Sequence, residues 1–235
     1  MKLNLKKYAD LDLMHNDLAK GICDLAKKSV KEKDFFTLVL SGGKTPIGLY
    51  KLLAKSPFIN SFPWKKTYFF WGDERCVPPN SEKSNFATAY KSFLSKIPVD
   101  EKNIYRINGL LPPNKAAQVY ESEITDFFLS KEITVGFDLI LLGIGNDGHT
   151  ASLFPHNKEL NETKRLVVHT TAPRGITPKN RVTMTFKLIN KSHYIYFVAS
   201  GKNDIITKIL DTESGKIYPA TLVKPNTQPV WFVHE

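Results

Sequence analysis

The segment that most suggests catalysis is Gly143–Pro155, which begins at the end of an almost entirely apolar run at Phe137–Ile144. His149 comes directly after an Asp147-Gly148 turn, where a buried strand would end. The ordinary pKa of histidine lies nearest to neutral pH, so a histidine held in such a turn suits a general base. Asp147 is close enough in the chain to orient the imidazole. The other histidines lack this setting and are interpreted as structural or exposed: His15, His156, His169, His193 and His234.

A second candidate is the glycine-rich segment Ser41-Gly42-Gly43-Lys44-Thr45-Pro46, between an apolar run and a predicted helix. Backbone N–H groups in such a loop, with the N-terminus of the following helix, favour a phosphate or a carboxylate. The candidate anion-binding residues are Ser41, Gly42, Gly43 and Thr45. The spacing fits neither a Walker A loop nor a dinucleotide fingerprint, so nucleotide binding is not indicated. The alternative interpretation is a tight turn with a hydroxyl cap.

Charged side chains stand at the ends of other predicted strands. Asp73-Glu74-Arg75 follows one strand, Lys202 follows another, and Arg181 begins a third. The Arg75 guanidinium can hold a phosphate through two parallel hydrogen bonds, and the Asp73 carboxylate can orient a sugar hydroxyl or a catalytic side chain. These residues together predict a basic pocket for a phosphorylated small molecule. The alternative is a set of ordinary surface ion pairs.

Strand and helix patterns alternate along the whole chain. Strands are predicted at Phe35–Leu40, Thr67–Trp71, Ile104–Ile107, Phe137–Ile144, Arg165–His169, Arg181–Thr185 and Tyr194–Ala199. Helices are predicted at Leu11–Ala26, Thr45–Ala54, Glu82–Leu94, Asn114–Phe128, with Asn114 as a possible cap, and Lys202–Leu210. Such alternation produces an α/β fold with a mostly parallel sheet and helices on both faces. Ligands of this fold bind beyond the carboxyl ends of the strands, where the candidate residues lie.

Length and composition limit the alternatives. The chain has 235 residues, of which 42% are hydrophobic, with 33 Lys and Arg against 23 Asp and Glu, a net charge of +10. No linker or repeat divides it, so residues 1–235 are predicted to form a single domain. The chain has no apolar run long enough for a membrane span and no signal-peptide pattern, so no membrane partner and a cytoplasmic location are expected. Two cysteines cannot form a disulfide framework, and they lack metal-ligand spacing.

The ordered motifs resemble the 6-phosphogluconolactonase family, and the resemblance spans most of the chain. Its strongest segments are Ser41–Pro46, Trp71–Arg75 with Val77-Pro78-Pro79, Ser84-Asn85 and Gly143–Pro155, supported by Arg181–Thr185, Gly201-Lys202 and Pro219–Val223. Four short motifs in this order are highly specific, although each alone could arise by chance. Cys76 stands where the family often has an aromatic residue, and Ala172–Asn180 is less typical, so the rim of the pocket departs from the family pattern.

The resemblance implies a modified Rossmann-like fold and hydrolysis of 6-phospho-D-glucono-1,5-lactone to 6-phosphogluconate in the oxidative pentose phosphate pathway. It implies no metal or organic cofactor, and a phosphorylated sugar lactone as the partner. The chain is expected to be a monomer, with oligomers left open. His149 would activate water, and Asp147 or Asp73 would orient the imidazole or the sugar. The phosphate would be held by Arg75, Lys202, the Ser41–Thr45 loop and, less strongly, Arg181.

Three alternative functions compete with this interpretation. A glucosamine-6-phosphate deaminase of the related family would carry a catalytic Glu five residues after the histidine, where this chain has Phe154, and a Tyr where it has Arg75. A sugar-phosphate sensor could keep the glycine-rich loop but lose the base, whereas His149 and Asp147 are both present. Nucleic-acid binding would rest on the net charge alone, since no basic run is interleaved with aromatic residues.

Overall fold

The computed structural model describes residues 3–201, 205–210 and 218–234. The strands are β1 Asn4–Tyr8, β2 Phe36–Leu40, β3 Thr67–Trp71, β4 Asp73–Arg75, β5 Leu139–Leu142, β6 Val167–Thr171, β7 Asn180–Met184, β8 Tyr194–Ser200 and β9 Val230–His234. The helices are α1 Leu11–Lys33, α2 Pro46–Leu53, α3 Phe58–Ser61, α4 Asn85–Ser92, α5 Pro113–Ser130, α6 Phe186–Ile189 and α7 Ile205–Leu210. Short 3-10 turns lie at Trp64–Lys66, Leu94–Lys96, Glu101–Asn103, Lys158–Asn161 and Pro219–Leu222.

Six strands form one parallel sheet in the order β1-β9-β8-β5-β2-β3. The central strands β2 and β5 are buried along their whole length, which explains their uninterrupted apolar sequences. The chain runs outward from β2 to β3, and then returns to place β5 on the other side of β2. The order therefore reverses between β2 and β5, and the loops that follow these two strands flank the crevice where such sheets bind ligands. The predicted α/β fold with a mostly parallel sheet is confirmed.

A second, antiparallel sheet of three strands, in the order β4-β7-β6, was not predicted. Asp73–Arg75 was predicted to be a loop, but it is β4, and Gly72 alone separates it from β3. The strands predicted at Arg165–His169 and Arg181–Thr185 exist with shifted ends as β6 and β7, outside the parallel sheet. The three residues of β4 are all charged, so no hydrophobic alternation marked them as a strand.

Other differences from the sequence prediction lie at element ends and sheet edges. Ile104 makes an isolated bridge to Phe69 instead of beginning a strand. Helix α5 starts at Pro113 after Pro112, so Asn114 is inside the helix and is not its cap. The edge strand β1 was missed because its sequence, NLKKY, is mostly polar, and the neighbouring β9 was missed although it is apolar.

Two buried tyrosines hold the ends of neighbouring strands. The Tyr50 hydroxyl donates to the Ser41 carbonyl at 2.7 Å and accepts from the Ser41 N–H at 3.0 Å, just beyond β2. The Tyr120 hydroxyl makes the same pair of bonds to Trp71, the last residue of β3, at 3.1 and 2.8 Å. Each hydroxyl satisfies a donor and an acceptor at the end of a strand. The start of the loop after β2 is therefore anchored to α2, and the end of β3 is anchored to α5.

None of the helices within the described residues is both long and apolar enough to cross a lipid bilayer.

Candidate active site

A cavity of about 220 Å³ opens at the carboxyl ends of β2 and β5. It brings together eight of the predicted site residues: Ser41, Gly42, Gly43, Thr45, Asp73, Arg75, His149 and Arg181. Asp147 joins this group through its contact with His149. Lys202 lies outside the residues that the structure describes. The cavity therefore combines side chains from the parallel sheet with side chains from the antiparallel one.

His149 is bound to Asp147 through both its ring and its backbone. The imidazole Nδ1 is 2.5 Å from Asp147 Oδ1, and the backbone N–H of His149 donates to the same oxygen at 3.0 Å. Burial raises the pKa of Asp147, but the hydrogen bonds from His149 outweigh it, so the pKa lies below its usual value. An ionised carboxylate can only accept, so Nδ1 carries the hydrogen and Nε2 is left as the acceptor, as a base requires.

The turn that carries His149 is tightly constrained. Gly148 has a φ of +79°, a left-handed conformation that favours glycine. The Gly145 N–H donates to the His149 carbonyl, and the Gly148 N–H donates to the Gly145 carbonyl, both at 2.9 Å. A Cβ on Gly145 would lie 2.1 Å from the imidazole, so the absence of a side chain lets the ring pack against this backbone. The Phe154 ring also contacts the imidazole, at 4.6 Å between centroids.

The glycine-rich loop is held in place by contacts with other parts of the fold. Gly43 has a φ of +89°, and a Cβ on Gly42 would fall 2.0 Å from the Asn85 side chain. Thr45 precedes α2, but its side chain does not cap that helix. Its hydroxyl is instead 3.1 Å from the Ser200 hydroxyl, and its carbonyl is 3.2 Å from Nε2 of the buried His15. Thr45 therefore does not supply the hydroxyl cap of the alternative interpretation, although the left-handed Gly43 does mark a turn.

Asp73 is buried in a hydrogen-bonded network on the second sheet. Its Oδ2 accepts from the Ser152 hydroxyl at 2.6 Å and lies 4.0 Å from Nη1 of Arg181. Asn85 Nδ2 donates to Asp73 Oδ1 at 3.1 Å and to the Asp73 carbonyl at 2.9 Å. The sequence left open whether Asp73 or Asp147 orients His149. The structure places Asp147 in direct contact with the imidazole, whereas Asp73 is bound to other groups.

Glu74, the middle residue of Asp73–Arg75, has a structural role. Its carboxylate accepts from the backbone N–H groups of Arg75, Asn85 and Phe86 at 2.7–2.8 Å, and from the Ser84 hydroxyl at 2.9 Å. Burial raises the pKa of Glu74, and these hydrogen bonds only partly offset that effect. Glu74 therefore ties β4 to the N-terminus of α4, where Ser84 is the cap residue.

Arg75 and Arg181 face each other across the β4–β7 ladder. Arg75 Nη1 donates to the Lys83 carbonyl at 2.7 Å, while its Nε is buried without a hydrogen-bond partner in the part of the chain that the structure describes. Arg181 Nε donates to the Pro178 carbonyl at 3.1 Å. Burial lowers the pKa of Arg181, and Arg75 adds to this effect while Asp73 opposes it. Two adjacent guanidinium groups at a cavity suit a doubly charged anion such as a phosphate monoester.

Sequence reasoning missed three supporting residues. Asn85 and Ser152 were named only as members of motifs, and Phe154 only as the residue in place of a deaminase's catalytic Glu. Ser84 caps α4, accepting from the Ala87 N–H at 3.1 Å. No spacing rule reveals that Asn85 packs against Gly42 or that Ser152 meets Asp73, because these contacts join segments far apart in the chain.

Two further observations concern other candidate sites. Across residues 3–201, 205–210 and 218–234, no three His, Cys, Asp or Glu side chains form a group that could hold a metal ion. A larger groove of about 620 Å³ runs between α5 and β6. It lies away from the carboxyl ends of β2 and β5 and contains neither His149 nor the arginine pair.

Comparison with known proteins shows the enzyme family to which the chain belongs. Residues 9–231 match the family described as Glucosamine-6-phosphate isomerases/6-phosphogluconolactonase, and the chain belongs to this enzyme family. It is 40% identical over 241 residues to 6-phosphogluconolactonase 3, chloroplastic, of Arabidopsis thaliana, covering 97% of this chain and 73% of that one.

A bacterial relative gives the same result in sequence and in structure. The chain is 38% identical over 210 residues to 6-phosphogluconolactonase of Thermotoga maritima, with 88% of each chain covered. The crystal structure of 6-phosphogluconolactonase from that organism superposes with a TM-score of 0.86 over the full length of both chains, at 33% identity. Similarity therefore extends over nearly the whole chain, including both sheets that form the cavity.

Proposed function

We propose that this protein hydrolyses 6-phospho-D-glucono-1,5-lactone to 6-phosphogluconate, the activity from which its relatives take their names. The observation that carries the proposal is the His149–Asp147 pair, with its 2.5 Å contact, in a cavity that also holds Arg75 and Arg181. A base next to two cations suits a substrate that combines an electrophilic carbonyl with a phosphate.

In the proposed reaction, His149 Nε2 accepts a proton from water as the water oxygen attacks the lactone carbonyl carbon. The carbonyl oxygen becomes the oxyanion of a tetrahedral intermediate. As this intermediate collapses, the bond from the carbonyl carbon to the ring oxygen breaks, and the ring oxygen takes the proton from His149 to become a hydroxyl. The carboxylic acid that results loses its proton to solvent. Asp147 stabilises the imidazolium formed between the two proton transfers.

The phosphate is assigned to Arg75, Arg181 and the loop of Ser41, Gly42, Gly43 and Thr45. Arg75 and Arg181 both line the cavity, where guanidinium N–H groups can donate to phosphate oxygens. Lys202 remains a predicted phosphate ligand from the sequence alone. Backbone N–H groups of the glycine-rich loop could also meet the developing oxyanion, since preorganised donors are most effective where charge appears.

Two of the alternative functions, the deaminase and the sensor, are less well supported by the site. A deaminase of the related family would need its catalytic Glu where this chain has Phe154, which is fully buried and carries no proton donor. A sensor would not need the tautomer that Asp147 imposes on His149. The cytoplasmic location, the monomeric state and the single domain stay predictions from the sequence; the Arabidopsis relative, by its name, is chloroplastic.

A coupled assay tests the proposal and the division of roles. Purified protein should accelerate the loss of freshly made 6-phosphogluconolactone, measured through 6-phosphogluconate dehydrogenase. His149→Ala should lower kcat by about 100-fold or more, because a general base contributes about 10²–10⁴. Arg75→Ala should mainly raise KM, because it removes a contact to a phosphate that does not change during the reaction.

Two outcomes would overturn parts of the proposal. A rate equal to spontaneous hydrolysis would exclude the lactonase activity. Near-full turnover by His149→Ala would remove the general-base role while leaving the activity in place.

A further inference from the structure

Phe154 is an apolar residue in contact with two of the groups assigned to the reaction. Its ring centroid is 4.6 Å from that of His149, and the two planes are inclined at 44°. The guanidinium carbon of Arg181 lies 5.7 Å from the same ring centroid. The side chain is 0% exposed, so its position is fixed by packing. One aromatic ring therefore touches both the proposed base and a proposed phosphate ligand.

We propose that Phe154 is a positioning residue for the hydrolysis, which fixes the plane of the His149 imidazole relative to the cavity. This inference rests on the proposed role of His149 as the base. The bond to Asp147 restrains the imidazole at Nδ1 alone, and a ring held at one edge can still tilt. Contacts with the ring, from the Gly145 backbone and from Phe154, remove that freedom and direct Nε2.

The segment that carries Phe154 is itself rigidly held. Thr150 Oγ1 donates to the Gly143 carbonyl at 2.9 Å, and the Leu153 N–H donates to the Thr150 carbonyl at 2.9 Å. Ser152 is tied to the buried Asp73 at 2.6 Å. Ala151 has a φ of +49°, an unfavourable conformation for a residue with a Cβ, which surrounding contacts must maintain. Such a support can hold an imidazole in one orientation through many turnovers.

Loss of the ring should affect His149 more than Arg181. Arg181 keeps two other contacts, a 3.1 Å bond to the Pro178 carbonyl and the Asp73 carboxylate at 4.0 Å. His149 keeps its bond to Asp147 but loses an aromatic contact that restrains its plane. Removal of the ring should therefore lower kcat, which depends on the orientation of the base, more than it raises KM, which depends on the phosphate ligands.

The direct test is Phe154→Leu, with Phe154→Met as a second variant that fills the space differently. We expect kcat per folded molecule to fall about 10- to 100-fold, since small displacements of catalytic groups have effects of this size, and KM to change by less than about threefold. Phe128→Leu is the matched control, because Phe128 is equally buried but packs against Phe127 and Phe137, away from the cavity. It should destabilise the fold and leave kcat per folded molecule unchanged.

One measurement separates positioning from general destabilisation, and a second tests the contact between the two rings. If Phe154 acts through His149, Phe154→Leu should cost little further activity in a His149→Ala background, whereas independent effects would multiply. The Cε1–H signal of His149 in an NMR spectrum should shift in Phe154→Leu and not in Phe128→Leu, because the nearby ring current is lost. This spectrum does not depend on activity.

Equal kcat in wild type and both Phe154 variants would overturn the inference, as would multiplied losses in the double variant or an unmoved His149 signal. Failure of the proposed function is distinguishable, because it would show as a wild-type rate equal to spontaneous hydrolysis. Failure of the base assignment alone would show as near-full turnover by His149→Ala.

Discussion

At the scale of single residues, the proposed base is defined as much by small and apolar neighbours as by charged ones. Asp147 sets the tautomer of His149, and Gly145 provides the space in which the imidazole lies. The backbone of Gly145 does not have the positive φ that would require a glycine. Glycine is therefore needed at this position because a side chain would collide with the imidazole. A substitution can test this without straining the main chain.

Gly145→Ala should displace the imidazole, because the added methyl would lie 2.1 Å from two of its ring atoms. We expect kcat to fall about 10-fold or more, with a smaller change in KM, in the coupled lactonase assay. The same substitution at Gly21, where the nearest atom to the methyl is 3.7 Å away, is the control. It lies within α1 and should increase stability by up to about 1 kcal/mol without changing kcat. Unchanged kcat in Gly145→Ala would contradict the assigned packing.

At the scale of elements, two buried tyrosine hydroxyls hold the ends of neighbouring strands, and one of them also fixes the start of the glycine-rich loop. Tyr50 belongs to α2, the helix that the glycine-rich loop itself leads into, and it returns to bind the backbone of Ser41 at the beginning of that loop. Tyr120 does the same from α5 for the end of β3. Burial raises the pKa of both phenols, so both hydroxyls keep their hydrogen and can donate and accept at once.

Tyr50→Phe should raise KM, because Ser41 would lose the hydroxyl that fixes the glycine-rich loop. A loss of about 1 kcal/mol in substrate binding corresponds to about a fivefold higher KM. Tyr120→Phe is the matched control, since it removes an equivalent pair of bonds outside that loop. Both variants should lose about 1–3 kcal/mol of unfolding free energy, measured by urea denaturation, because a buried donor and acceptor are left unpaired. Equal KM values in the two variants would refute a specific role for Tyr50.

At the scale of the whole molecule, stability should depend on the protonation of a histidine outside the cavity. His15 on α1 is 4% exposed, and its ring packs against Gly48 of α2. Burial lowers its pKa, and His234 lowers it further, while the hydrogen bond to the Thr45 carbonyl and the charge of Asp12 raise it. The carbonyl can only accept, so the neutral ring donates from Nε2.

The sign of the pH dependence follows from that shift. Below the usual histidine pKa of about 6.5, the unfolded chain binds a proton at this site more readily than the folded chain does. The stability contributed by neutral His15 is therefore complete above this pH and is lost as the pH falls below it. His15→Gln keeps a donor for Thr45 but cannot be protonated. Urea unfolding at pH 7.5 and 5.5 should show a larger loss on acidification in wild type than in the variant, and equal losses would contradict this account.

The parts of the fold and site that the sequence predicted depend on local patterns. The apolar runs of β2 and β5, and the glycine loops that follow them, sufficed to locate His149 and the Ser41–Thr45 loop at one edge of a parallel sheet. Position in the chain also suggested Asp147 as a partner of His149. These features need no knowledge of distant contacts, because strand direction alone brings the loop ends together.

The parts that could not be predicted depend on contacts between distant segments. The charged strand β4 is recognisable only beside β7, which pairs with it more than 100 residues later. Asp73 is held by Asn85 and Ser152, neither of which its own segment identifies. The supporting role of Phe154 depends on ring geometry, which a sequence pattern does not encode.

The arginine pair on the second sheet has a consequence for engineering. Like charges directly opposite each other weaken an antiparallel ladder, and Arg75 and Arg181 occupy such positions. This ladder therefore carries a repulsion that the proposed phosphate would relieve, so under that proposal thermal tolerance and substrate capture are opposed at this ladder. A redesign guided by melting temperature alone would replace one arginine with a neutral β-branched residue, and the more durable protein would be the poorer enzyme.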